Sequence, residues 1–174
     1  MKTTLTLLLA LAISFACRAQ AAKAAPAKQL KVGNRSSLFA KLITNLSPTD
    51  ANLLWRRYRA EARLLRTSRN RHDPSITDSV LTVHNAADQL TLFKNTYKVM
   101  LLAGMFSSDR VSFAGLKVGV AQPEFCRMLR LPLGYSSYAI SDGQEQFLQL
   151  IFSFSGGHLQ QVEYKMLQSL NAID

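Results

Sequence analysis

The chain has 174 residues, 48% of them hydrophobic and 18% charged, which excludes a largely disordered protein and leaves room for one ordinary domain. Lys and Arg number 21 against 11 Asp and Glu, a net charge of +10. Three His and two Cys are too few for a multi-ligand zinc site or a disulfide framework, and no Walker-type glycine loop, HExxH or GxSxG occurs, so no cofactor or metal is expected.

Lys2 precedes a short apolar run, Leu5, Leu7, Leu8, Leu9, Leu11, Ile13 and Phe15. At about a dozen residues it falls short of the ~20 that a bilayer span needs. Ala19-Gln20-Ala21 then offers small residues where signal peptidase inspects the chain, so residues 1–21 read as a secretory signal peptide with a mature N-terminus at Ala22. A second cut lies before Cys17, after Ser14-Phe15-Ala16. Ala16 suits a lipoprotein signal and Ser14, where an aliphatic residue is wanted, does not; this cut would lipidate Cys17 and anchor the protein to the outer membrane. Cleavage after Ala21 leaves 153 residues, a charge of +8, no transmembrane span, and Cys126 as the one cysteine. With no internal disulfide available, the mature protein must be held by its core. It is expected to be exported, either periplasmic or secreted.

Residues 22–35 lack an apolar period and read as a flexible tether, followed by a single α+β domain over 36–174. Leu38, Phe39, Leu42 and Ile43 mark a short helix within 36–45. Ser47-Pro48-Thr49-Asp50 reads as a capped helix start. Ala51, Leu54, Trp55, Tyr58, Ala62 and Leu65 then recur at spacings of three and four, which predicts an amphipathic helix of about five turns reaching residue 66. Residues 67–79 read as a loop.

From Val80 the period becomes 2. Strands are predicted at 80–83, 89–93 and 97–106, the last central in its sheet, and the pattern at 111–117 is ambiguous, with an edge segment as one reading. A helix over 123–130 buries Phe125, Met128 and Leu129, and Pro132 stops it. Strands at 138–140, 147–154 and 159–165 follow, with turns at Ser141-Asp142-Gly143 and Ser155-Gly156-Gly157, and Leu148, Leu150, Phe152 and Phe154 face the core. The fold class is α+β: N-terminal helices, then an antiparallel sheet with one short helix inserted before the last three strands.

Val118-Gly119-Val120-Ala121-Gln122-Pro123-Glu124-Phe125 and Phe154-Ser155-Gly156-Gly157-His158-Leu159-Gln160-Gln161-Val162 resemble, in that order, two segments of small bacterial outer-membrane lipoproteins of the SmpA/OmlA type and their β-lactamase-inhibitor-like relatives. The likeness spans about residues 116–164. Val120 stands where that family has Met, and Ala121 where it has a capping Ser or Thr. The resemblance implies a binding or scaffold module and supplies no catalytic residue.

Between Arg56 and Arg71 lie seven arginines and one acid, Glu61. A local charge of +6 draws anions, and Arg56, Arg57, Arg59, Arg63 and Arg66 are the candidate contacts for an acidic envelope protein, anionic phospholipid or lipopolysaccharide. Nucleic acid is not expected, since export removes it from reach. The bland reading of the same arginines is a solvated helix face. His72 beside Asp73 reads as a surface pair, Cys126 as a small core residue and Trp55 as a core anchor. The function expected is that of an exported, non-catalytic envelope module that binds through its sheet edge or its arginines. The alternative, a small secreted hydrolase or transferase with a dispersed active site, requires a cleft gathering His72, Asp73 or His158 around a nucleophile.

Overall fold

A computed structural model describes residues 28–33, 36–43, 48–142 and 148–166. The segment read as a signal peptide, Cys17, and Ser47, read as a helix cap, lie outside the described residues. The elements run β1 (Gln29–Val32), α1 (Ser36–Ile43), α2 (Pro48–Tyr58), β2 (Ala62–Arg69), β3 (Thr77–His84), β4 (Asp88–Lys94), β5 (Val99–Phe106), α3 (Gln122–Leu129), β6 (Ser137–Ser141), β7 (Leu148–Ser155) and β8 (His158–Met166). The strands form one eight-stranded sheet in the order β1-β6-β7-β8-β5-β4-β3-β2. Every neighbouring pair is antiparallel except β1 and β6, which run parallel.

The fold is thus mixed α+β, and β5 sits inside the sheet as its apolar sequence predicts. Alternation sends Val83, Leu90, Leu92, Leu101, Leu150, Phe152, Val162 and Tyr164 to one face, where they join Phe39 and Leu42 of α1, Leu54 and Tyr58 of α2, and Phe125 and Leu129 of α3 in one core. Phe152 is central, with ring centroids 5.0 Å from Phe125 and 6.0 Å from Phe113. Val80 pairs with Phe93, one residue out of step with the Leu81–Leu92 pair, and so faces the other side. There, Val80, Phe93 and Leu102 make a small second cluster.

Several expectations are corrected. Residues 29–32, read as tether, pair as β1 alongside β6. The five-turn helix ends at Tyr58, and Arg63 to Arg69 lie on a strand. The predicted 67–79 loop shrinks to residues 70–76, where the Asn70 side-chain carbonyl accepts the backbone N–H groups of His72 and Asp73. Leu65, expected in the core, is 63% exposed, and Met128 is also exposed. Cys126 takes the place on α3 assigned to Met128: buried, its thiol donates to the Tyr138 hydroxyl at 3.2 Å. The 111–117 stretch is no strand but a tight turn bridging Phe113 and Leu116, which buries Val111, Phe113 and Leu116.

Candidate interaction site

The helix-to-strand change falls in the middle of the arginine group. Ala62, Leu64 and Leu65 are good helix formers by propensity, but long-range contacts decide. Tyr58, the last residue of α2, is fully buried and donates its hydroxyl to Asp88 at 2.9 Å. Asp88 also accepts Ser108 Oγ at 2.6 Å and the backbone N–H groups of Ser107 and Ser108 at 3.0 and 3.1 Å. Burial, followed by the hydrogen bond to Asp88 and its charge, raises the Tyr58 phenol well above its ordinary range. Three residues on, Glu61 accepts from Asn85 and from Arg110, the latter at 2.9 Å. Those two bonds, Asn85 first, hold the Glu61 carboxyl below its ordinary value. The chain is thereby pinned at both Tyr58 and Glu61, and from Ala62 it pairs with β3.

The outcome is an exposed basic surface at the junction. Arg56 and Arg57 occupy the last turn of α2, where cations complement the helix dipole. Arg59 lies in the turn, and Arg63 and Arg66 are on β2; all five are exposed. Arg66 and Arg71 take part in interactions within the chain. A single helix face does not present them, so the picture of a solvated helix stripe is replaced by a helix end and a strand joined at a corner. Trp55 is half-buried beneath Lys94, whose amine stands 5.7 Å from its ring centroid.

On the face opposite the helices, an open cleft of about 500 Å³ crosses β3, β4, β5 and β8. Its lining includes His84, Gln89, Thr91, Met105, Glu163 and Lys165, and the last two form an ion pair at 2.9 Å. Sequence reasoning missed this cleft: outward positions are readable from alternation, but the neighbouring of β5 and β8 is not.

The groups on which the enzyme reading depends stay apart. His72 and Asp73 sit in the β2–β3 loop, where Asp73 accepts from Ser75 Oγ at 2.6 Å and is held below its ordinary value by that bond. His158 opens β8, which runs antiparallel to β5 and therefore starts at the opposite end of the sheet from that loop. Its Nδ1 lies 3.1 Å from the Gly156 carbonyl. Among the described residues no group of three or more His, Cys, Asp or Glu could hold a metal ion, and no helix is long and apolar enough to cross a membrane.

The two segments that carry the family resemblance are laced together. Gly119 N–H donates to the Leu159 carbonyl at 2.7 Å, Leu159 N–H to Val120 at 2.9 Å, and Gln122 N–H to Gly157 at 2.8 Å. The start of α3 has no side-chain cap, in keeping with Ala121 there.

No family model and no curated protein matches the chain. A solved structure, that of an extracellular protein containing a SCP domain from Bacillus anthracis strain Ames, is similar at 10% identity and a TM-score of 0.34, over 74% of this chain. The chain covers 46% of that protein, and the likeness is too slight to assign a fold family.

Proposed function

We propose that the protein is an exported, non-catalytic binding module of the bacterial envelope that engages an anionic partner through the basic corner formed by α2 and β2. The observation that carries this reading is the grouping of Arg56, Arg57, Arg59, Arg63 and Arg66, all exposed, where a helix end meets the outermost strand of the sheet. Like charges kept close together repel one another, and a partner that neutralises them gains from both Coulomb attraction and relief of that repulsion. The signal-like segment 1–21 supports export, and lipidation at Cys17 would add outer-membrane anchoring. The resemblance to SmpA/OmlA-type modules supports a binding or scaffold role, because its two segments meet in the α3 region.

Replacing Arg56, Arg59 and Arg63 together by Gln tests the reading. The melting temperature should change little. Near an anionic surface each basic residue is worth about 1 kcal/mol, so affinity for polyglutamate or anionic vesicles should fall roughly a hundredfold, and added salt should mimic the loss. Binding that survives both the substitutions and high salt would reduce the corner to a solvated surface.

A further inference from the structure

β2 is the last strand in the sheet order, and among the described residues no strand pairs with its outer edge. It has eight residues, against five or six for an average strand, and all except Ala62 are exposed. An open edge presents a row of unpaired backbone N–H and C=O groups, a template for another chain. Natural edges are blunted by brevity, covering or charge. This one is long and, among the described residues, uncovered by a further strand, while its charge has one sign.

That sign disfavours one occupant and selects another. A second copy laid edge to edge would set arginine against arginine, and like charges opposite one another destabilise strand pairing. An extended segment bearing carboxylates meets the reverse situation. The pairing with β3 fixes where those carboxylates must lie. Arg63 is opposite Thr82, on the face away from the helices, while Leu64 is opposite Leu81 and Arg69 opposite Thr77, on the helix side. Leu64 is 61% exposed and offers an apolar contact on that side. Arg56, Arg57 and Arg59 stand close to the start of the strand in sequence and add positive field there.

We infer that β2 accepts an extended acidic segment of a partner protein as an added strand. Main-chain hydrogen bonds along the edge supply the affinity, and carboxylates on the face of Arg63, with apolar side chains on the face of Leu64, set the register. A bilayer carries anionic charge but has no backbone to pair with the edge, so a peptide uses more of what the surface offers. The inference rests on the anionic-partner reading above and deepens it.

The test uses the purified protein at low ionic strength and a capped peptide of about ten residues, the upper length of ordinary strands, alternating Glu and Val. Two derivatives carry N-methyl groups on alternate amides, in opposite phases. One phase places its methyl groups toward solvent and should bind as the parent does. The other places them against β2 and should bind at least about tenfold more weakly, about 1.4 kcal/mol. In the variant R63E, the Glu-Val peptide should lose affinity and a Lys-Val peptide should gain it, a gain that requires a folded edge. Equal binding by both methylated peptides would overturn strand addition and leave the anionic-partner reading standing on charge alone. Binding to phosphatidylglycerol vesicles without binding to the peptide would also overturn it, with a membrane as the partner. Failure of both probes would overturn both readings.

Discussion

Phe152 shows how much one side chain organises. It has no exposed surface and stacks obliquely on Phe125 and edge-on to Phe113, so it joins β7 to α3 and to the 111–117 turn. Phe152→Ala should cost about 3–5 kcal/mol in urea unfolding, because rings contributed by three separate segments cannot all collapse into the space left. Asp88 organises by hydrogen bonding. It is 1% exposed and accepts from Tyr58, from the Ser108 hydroxyl and from two backbone N–H groups. Asp88→Ala strands those donors and should lose at least about 1–3 kcal/mol, whereas Tyr58→Phe, which leaves Asp88 its other donors, should lose about 1 kcal/mol. Chemical denaturation of the two variants side by side checks the asymmetry. The apolar part of this arrangement was legible: Leu150 and Phe152 declare themselves by alternation, and Tyr58 by its place on the helical stripe. The Tyr58–Asp88–Ser108 bonds were not, because their members lie 30 and 20 residues apart and nothing local marks them.

At the level of elements, the stretch from Pro48 to Arg69 carries the main lesson. Its apolar residues keep a helical period through Leu65, and its residue types favour helix, yet the helix stops at Tyr58. Local preference of a few tenths of a kcal/mol per residue yields to pairing along β3 and to the anchors at Tyr58 and Glu61. The same sequence therefore reads correctly for its first half and wrongly for its second, and the arginines pass from a helix face to a sheet edge. The β7–β8 hairpin was legible because its signal is local. Gly156 and Gly157 take φ of +58° and +77°, the left-handed values that tight hairpin turns require. Gly157→Val should cost about 1–2 kcal/mol through backbone strain, since open space surrounds the Cβ position. A thermal melt showing no loss would mean that the turn relaxes to another form.

Over the whole molecule, charge and burial act on different ends of the pH scale. Tyr138 and Tyr164 are pushed from an ordinary value of 10.0 up to about 12, chiefly by burial, with the Cys126 thiol acting on the first and the Asp142 carboxylate on the second. Tyr58 is raised further in the same direction. A phenol harder to ionise folded than unfolded contributes fully at low pH, so stability should hold below pH 10 and fall as the pH rises toward 12, where the unfolded chain ionises first. Phenolate absorbance followed together with circular dichroism should show late-ionising tyrosines appearing only as the fold is lost. Glu61 works in the other sense: held low by Asn85 and Arg110, its contribution is present above its ordinary value of 4.5 and declines as the pH falls below it. The sheet's order could not be read from the chain, because β1 joins it in parallel at one margin and β2 closes the other, each far in sequence or unexpected in type. That order is what turns an arginine-rich segment into an exposed edge. Amide hydrogen exchange along residues 62–69, with and without the Glu-Val peptide, tests this most directly. In the free protein, amides alternating along β2 should exchange quickly while those bonded to β3 are protected, and the fast set alone should become protected when the peptide is added. A continuous block of protection across 62–69 in the free protein, or fast amides that the peptide leaves unchanged while it binds, would contradict the account.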